Sequence, residues 1–199
     1  QFQENGIENV LALRGDRVEG MEPAMDFVHA ADLISYIRSF GGFDIAGACY
    51  PECHPEAPNM DTDIRHLKEK VDAGASHLIT QLFFDNDSFY DFRYRAARAG
   101  VNVPIEAGIM PVTNRKQIER MVTMCGASLP RKFTKMVQRF EDNPEALRDA
   151  GIAYAIDQIV DLVTDGVDGI HLYTMNNPLI ARRISQSVAS LIRCSNRAE

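Results

Sequence analysis

Residues 77–85 read HLITQLFFD, in which five apolar side chains are interrupted by Gln81 and followed by Asp85. A short apolar run of this length is typical of a strand that is buried on both faces, as in a parallel sheet. We therefore predict a strand over residues 77–84 with Gln81 inside it. A buried amide needs hydrogen-bonding partners, so Gln81 indicates either a core contact with the backbone or a ligand-binding position.

The sequence on both sides of this run alternates predicted strands with predicted helices. Apolar runs predict strands at residues 8–13, 43–48, 77–84, 104–112 and 169–175. Helical spacing and turn residues predict helices at residues 25–40, 62–73, 88–100, 114–125, 128–140, 142–166 and 177–192. This alternation predicts a single α/β domain over residues 1–199, with a parallel sheet covered by helices.

Two architectures fit five strand–helix units. A doubly wound open sheet can be built from five units, whereas a (β/α)8 barrel needs three more. Local signals fix several helix ends in either case. Asn-Pro pairs at residues 143–144 and 177–178 predict helix N-termini, and Asn86 or Asp87 is predicted to cap the third helix. Val28 is predicted to lie on the buried stripe of the first helix.

Composition excludes some classes of partner. The 199-residue chain has a formal net charge of -7, which argues against nucleic-acid binding, because that needs a basic face. No run approaches the roughly 20 apolar residues of a membrane-spanning helix. The chain has 4 cysteines, which are not spaced like a disulfide framework, so we predict a reduced, cytoplasmic protein. Gln1 is not an initiator methionine, which leaves targeting signals upstream of it open.

Polar clusters follow each of the five predicted strands. They are residues 14–16, residues 50–54, Gln81 with Asp85, residues 113–114 and residues 173–176. The carboxyl ends of parallel strands meet at one edge of the sheet, so these clusters predict a shared pocket. Helix N-termini point to the same edge and favour an anionic group such as a phosphate.

Common motifs of other enzyme classes are absent from the sequence. There is no G-x-G-x-x-G or G-x-x-x-x-G-K-[ST] motif for nucleotide phosphates, and no H-E-x-x-H or G-x-S-x-G motif. Cys49, Cys53 and His54 are close in sequence but have no convincing further ligand nearby, so we predict no metal site.

Five collinear segments between Asn9 and Asn176 resemble the methylenetetrahydrofolate reductase family: NVLALRGD, YPECHPE, DAGASHLITQLFFD, GIMPVTN and GIHLYTMN. The resemblance implies a (β/α)8 TIM barrel of which these are the last five units, with the first three outside this sequence. It implies an FAD-dependent oxidoreductase of one-carbon metabolism and methionine biosynthesis, and a homo-oligomer. NADH or NADPH would reduce the flavin at N5, and 5,10-methylenetetrahydrofolate would then take the hydride in a ping-pong reaction. The family's general-acid glutamate would belong to the absent units.

The resemblance implies catalytic roles for Asp16 and Gln81. Asp16 would tune the flavin and bind the folate pterin, although an aspartate after a glycine is also common in turns. Gln81 would contact the nicotinamide amide in one half-reaction and the pterin in the other.

Contacts with FAD are implied for Arg14, Gly15, Asp16, Tyr50, His54, Asp63 and Lys70. For Tyr50 and His54 the alternative is a surface loop stiffened by prolines. Asp63 and Lys70 are seven residues apart and therefore share a helix face, for which the alternative is a solvated surface.

A folate contact is implied for Gln117, although Asn114 and Gln117 also have the spacing of a capping box, which is a structural role. Met121 and the pair Phe83–Phe84 are predicted to be packing residues. Some family members carry an arginine where this chain has Asn177, which we predict to be a helix cap.

Two other functions stay open. One is a non-catalytic flavin- or folate-binding barrel subunit or fragment, which would bind without turnover. The other is a pterin-using methyltransferase on a similar barrel, which the RGD, YPECHPE and ITQLFFD segments disfavour.

Overall fold

A computed structural model describes residues 1–15, 20, 26–114, 116–118, 121 and 125–196, and it confirms the alternation of strands and helices. The strands are β1 (Asn9–Ala12), β2 (Asp44–Cys49), β3 (His77–Thr80), β4 (Ile105–Ile109) and β5 (Gly169–Leu172). The helices are α1 (Ala30–Phe40), α2 (Met60–Ala73), α3 (Asn86–Arg98), α4 (Arg131–Phe140), α5 (Pro144–Thr164) and α6 (Pro178–Ser195). A short 3-10 helix covers Gln3–Asn5, and residues 116–118, 121 and 125 are also helical.

The strand order distinguishes the two predicted architectures. All pairs are parallel, and the order in the sheet is β1-β2-β3-β4-β5, the same as the order in the sequence. A doubly wound sheet reverses direction at a switch point, whereas a barrel adds each strand beside the previous one. The fold is therefore α/β with five units wound as in a TIM barrel, and the doubly wound alternative is wrong.

The sheet divides its side chains between a helix-facing core and an inner face. Ile45, Leu78, Ile105 and Ile109 belong to the core cluster that the helices cover, and all four are buried. A smaller cluster lies under the loops that follow β3 and β4. It contains Phe84, Met121 and Phe133.

The packing predictions for Phe83, Phe84 and Met121 are confirmed, since the three are 0%, 2% and 7% exposed.

The predicted strand around Gln81 was too long. β3 ends at Thr80, so Gln81 is the first residue beyond the strand rather than an interruption within it. Residues 82–84 are buried all the same, because the loop after β3 packs between the sheet and the outer helices. An apolar run alone cannot distinguish a buried strand from a buried loop.

Helix ends were predicted with mixed success. Asn143 and Asn177 cap α5 and α6 through their side chains, as predicted. The cap of α3 is Asp85, whose carboxylate accepts from the N–H group of Asp87, so the prediction of Asn86 or Asp87 was one or two residues late.

The first helix also begins later than predicted. α1 is capped by His29, so Val28 lies outside the helix and is 51% exposed rather than on a buried stripe. Its predicted first residue, Met25, lies outside the described residues.

Candidate functional site

A cavity of about 480 Å³ opens where β1, β2, β3 and β5 end. Seven of the residues predicted to form the site line it: Arg14, Gly15, Tyr50, His54, Asp63, Lys70 and Gln81. The apolar residues Leu11, Leu13 and Ile79 line it as well. A largely apolar cavity with a few convergent polar groups is typical of a small-molecule site.

Arg14 follows β1 and is held by the loop after β2. Its guanidinium donates two hydrogen bonds to the Glu56 carboxylate, at 2.9 and 2.8 Å, and its Nε donates to the carbonyl of Gly15 at 3.2 Å. Paired hydrogen bonds of this kind fix the plane of a guanidinium. Asp16 lies outside the described residues, so its catalytic role stays a prediction.

Two hydrogen bonds that involve the backbone and the imidazole of His54 hold the loop after β2 in place. The backbone N–H of His54 donates to the Asp63 carboxylate at 2.9 Å, and the N–H of Glu56 donates to His54 Nδ1 at 3.0 Å. Because Nδ1 accepts, the imidazole carries its proton on Nε2. Burial lowers the pKa of His54, an effect that the nearby Asp63 and Glu56 carboxylates oppose. The Tyr50 ring packs edge-on against the imidazole, with 4.4 Å between centroids.

Helix α2 brings a buried anion and a half-buried cation to the cavity. Asp63 is 7% exposed, and Lys70 donates from Nζ to the carbonyl of Ala48 at 2.9 Å. Burial lowers the pKa of Lys70, while the Asp63 carboxylate acts in the opposite direction. An ammonium group has three donors, so the bond to Ala48 leaves donors for a ligand.

Gln81 is placed by its backbone and by its own amide. Its N–H donates to the carbonyl of Cys49 at 2.7 Å, which continues the β2–β3 pairing by one residue. Its Oε1 accepts from the N–H of Leu82 at 2.9 Å, so the side-chain nitrogen is the part left to face a ligand.

Gln117 does not line the cavity. Its Oε1 accepts from the N–H of Thr113 at 2.8 Å, and its own N–H donates to Asn114 Oδ1 at 3.0 Å. The pattern is close to the predicted capping box, except that the glutamine bonds Thr113 rather than Asn114. Capping explains the position of Gln117, and its folate contact stays a prediction.

Sequence reasoning missed several lining residues: His29, Glu56, His66, Glu69 and His171. His29 caps α1 and His66 lies in α2, and their rings stack with 6.4 Å between centroids. The spacing of His66 and Lys70 on one helix face was a usable signal, as was the alternation that puts His171 and Tyr173 on one face of β5. No local pattern pairs His29 with His66.

Tyr173 follows β5, lines the floor of the cavity and reaches past β4 to bond the end of β3. Its hydroxyl donates to the carbonyl of Thr80 at 2.9 Å, and Thr80 Oγ1 accepts from the N–H of Gly108 at 2.8 Å. Burial raises the pKa of Tyr173 to about 12. The ring crosses β4 at Gly108, where a Cβ atom would lie 2.8 Å from its Cε2.

The described residues offer neither a metal centre nor a membrane span. Within them, no three His, Cys, Asp or Glu side chains are grouped closely enough to hold a metal ion. None of the helices in that part of the chain combines the length and apolarity needed to cross a membrane. All four cysteines are free thiols.

The sequence is similar to named reductases along nearly its whole length. A family model described as Methylenetetrahydrofolate reductase matches residues 1–189. The 5,10-methylenetetrahydrofolate reductase of Pectobacterium carotovorum subsp. carotovorum is 40% identical over 188 residues, which cover 94% of this chain and 62% of that protein. The Escherichia coli (strain K12) protein of the same name is 40% identical over 176 residues, covering 88% of this chain and 58% of that protein.

A plant protein extends the comparison. Methylenetetrahydrofolate reductase (NADH) 1 of Arabidopsis thaliana is 39% identical over 190 residues, covering 88% of this chain and 32% of that protein. The chain thus spans about three fifths of these bacterial relatives and about a third of the plant one.

The solved structure is an uncharacterized protein from Clostridium thermocellum that binds two copies of 5-methyl-5,6,7,8-tetrahydrofolic acid. It superposes with a TM-score of 0.58 at 19% identity and covers 88% of this chain and 66% of that chain. At this identity the likeness concerns the fold alone.

Proposed function

Because the chain belongs to the methylenetetrahydrofolate reductase family, we propose that it carries the flavin site of an oxidoreductase that makes 5-methyltetrahydrofolate from 5,10-methylenetetrahydrofolate. One observation carries the proposal. The cavity gathers Arg14, Tyr50, His54, Lys70 and Gln81, which come from three different strand ends and one helix. Such convergence at the carboxyl ends of parallel strands is where barrel enzymes place their sites.

The chemistry of the cavity fits FAD. Arg14 and Lys70 are cations suited to the cofactor's phosphates, and Leu11, Leu13 and Ile79 offer apolar contact to a flat ring. Their placement supports FAD binding, and so does the partial burial of Lys70, because an ammonium group shielded from water interacts more strongly with an anion.

FAD, when bound, supplies a carrier that takes a hydride from NAD(P)H and passes it to the folate. The residues of this chain bind and orient the reactants around it. Gln81 follows β3, and its amide nitrogen can donate to a ligand. We therefore assign it a hydrogen bond to the nicotinamide carbonyl in one half-reaction and a hydrogen bond to a pterin acceptor in the other. Asp63 contributes indirectly. Its carboxylate accepts a hydrogen bond from the backbone N–H of His54 and lies close enough to Lys70 to favour the charged form of that ammonium group.

The choice of reactants follows from the names of similar proteins. The plant relative is named for NADH, so NADH is the reductant to test first. The Clostridium thermocellum protein binds 5-methyltetrahydrofolic acid on a similar fold, which supports a folate as the second reactant. We also propose a homo-oligomer, which light scattering on the purified protein would test.

The decisive experiment is a visible absorption spectrum of the purified protein with FAD, followed by anaerobic NADH and then methylenetetrahydrofolate. We expect a bound flavin spectrum and bleaching by NADH, and we expect recovery of the colour with the folate in protein that also carries the family's general-acid glutamate. Lys70→Met should weaken FAD binding, whereas Lys135→Met, at an exposed lysine of α4, should not. Gln81→Leu should retain FAD and slow both half-reactions. The matched control is Gln138→Leu, also at an exposed position of α4.

Failure can take two forms. A protein that takes up no FAD would refute the flavin site. A protein that binds FAD but is not bleached by NADH would instead favour a non-catalytic flavin- or folate-binding subunit or fragment.

A further inference from the structure

A histidine–carboxylate pair lies on the inner face of the sheet below the polar rim of the cavity. Glu106 on β4 and His171 on β5 approach to 3.7 Å between Oε2 and Nδ1, and their side chains are 36% and 37% exposed. In the strand register Glu106 pairs with Gly169, and His171 pairs with Gly108. The carboxylate therefore reaches the imidazole diagonally across the two strands.

The neighbouring positions leave room for this pair. A Cβ atom at Gly169 would lie 3.0 Å from Glu106 Cγ, so the glycine opposite Glu106 gives its side chain space to lean toward His171. On the other side, the imidazole packs edge-on against Tyr173, with 4.8 Å between centroids. Carboxylate and tyrosine thus fix the imidazole from two directions, and His171 lines the cavity while Glu106 does not.

We propose that His171 accepts at Nε2 a hydrogen bond from a ring N–H on the edge of the flat heterocycle that occupies this cavity, and that Glu106 is its positioning residue. The inference rests on the proposed function for the identity of the heterocycle, which is either the flavin ring or the folate pterin. Both rings carry an N–H group next to a carbonyl along one edge.

The orientation of the imidazole follows from its neighbours. A carboxylate beside Nδ1 favours the form with a proton on Nδ1, as a histidine's outer partner commonly does. In that form Nε2 carries a lone pair and is the ring atom available to the cavity, where it can accept a hydrogen bond.

The chain contains a matched control for this pair. His77 on β3 lies with its Nδ1 3.9 Å from Asp44 Oδ1 on β2, so it is another histidine–carboxylate contact between adjacent strands. It lies at the amino end of the sheet, and neither residue lines the cavity. His77→Gln and Asp44→Asn therefore reproduce the same chemical changes away from the site.

The test measures FAD affinity by flavin fluorescence, and then the affinity of FAD-loaded protein for 5-methyltetrahydrofolate. His171→Gln should weaken one of the two by about fivefold, the effect of losing one hydrogen bond between neutral groups. Glu106→Gln should weaken the same ligand by a smaller factor. Weaker FAD binding would assign the edge to the flavin ring, and weaker folate binding alone would assign it to the pterin.

A spectroscopic readout keeps the test independent of stability. The chain has 5 histidines, so ¹⁵N-histidine labelling gives few imidazole signals, and His171→Gln identifies the one of interest. The ligand should shift the His171 signal and leave that of His77 unchanged. The inference is overturned if neither ligand shifts the His171 signal, or if His171→Gln and His77→Gln have equal effects on both affinities. Absence of FAD binding in the unsubstituted protein would instead refute the proposed function.

Discussion

Replacing Gly108 with alanine should destabilise the protein and disturb the floor of the cavity at once. Gly108 lies in β4, where a Cβ atom would stand 2.3 Å from the carbonyl oxygen of Thr80 and 2.8 Å from Tyr173 Cε2. Thr80 is fully buried and accepts hydrogen bonds from the Gly108 N–H and the Tyr173 hydroxyl, so it has little room to move. The methyl group must therefore push Tyr173 away or separate β3 from β4.

Three effects determine how much Gly108→Ala lowers the free energy of unfolding. Overpacking a filled interior costs about 1–3 kcal/mol. Each lost hydrogen bond at Thr80 costs about 1 kcal/mol. In the other direction, alanine loses less backbone entropy on folding than glycine, which returns about 0.5–1 kcal/mol. The steric terms are larger, and we expect a net loss of about 2–4 kcal/mol in the free energy of unfolding.

Urea unfolding followed by circular dichroism measures this loss, and the chain supplies a close control. Gly47 lies in β2, and a Cβ atom there would meet Leu78 Cδ2 at 3.3 Å and Ala75 Cβ at 3.6 Å. A leucine methyl group can move by the few tenths of an ångström that this contact needs, whereas the Thr80 carbonyl cannot. Gly47→Ala should therefore change the free energy of unfolding by less than about 1 kcal/mol.

Equal stability of the two variants would refute the steric reasoning at Gly108. A destabilised Gly108→Ala protein that keeps its FAD affinity would show that Tyr173 does not shape the ligand-binding part of the cavity.

Three further outcomes are expected. Asn177→Ala removes the side chain that caps α6 and should cost about 1 kcal/mol in urea unfolding. Burial raises the pKa of Tyr173 to about 12, above the value near 10 in the unfolded chain, so its stabilising effect should be complete below pH 10 and disappear as the pH rises through 12. Unfolding measured at several alkaline pH values would show a smaller loss in Tyr173→Phe than in the unsubstituted protein; a loss remains in the variant because the pKa of Tyr154 is also raised to about 12. Tyr154→Phe should cost about 1–3 kcal/mol, because Tyr154 donates to the buried Phe84 carbonyl at 2.6 Å.

Controls for these variants come from exposed positions of the same residue types. Asn102→Ala and Tyr94→Phe change side chains on the surface, and Tyr94 is 61% exposed. Neither control should alter the unfolding midpoint measurably. A loss at Asn102 equal to that at Asn177 would contradict the capping argument, and unchanged stability of Tyr154→Phe would show that water replaces the lost bond.

The sequence predicted features that depend on neighbouring residues alone. Asparagine followed by proline predicted the N-termini of α5 and α6, because both residues act on the first turn of the helix that contains them. Strand–helix alternation predicted a parallel sheet, and the polar residues after β1, β2 and β3 predicted where a site would lie. The family resemblance added residue roles that no local pattern contains.

Tertiary structure decided what depends on distant segments meeting. Two parallel-sheet architectures share the same local pattern; the family resemblance predicted the barrel, and the order of the strands in the sheet confirmed it. Gln81 proved to follow β3 because strand pairing, not hydrophobicity, decides where a strand ends. The bond from Arg14 to Glu56 and the approach of Glu106 to His171 join residues on different strands or loops. Side-chain spacing along the chain reports which face a residue occupies, but it cannot report which residue stands opposite, since that is set by how the sheet and helices pack.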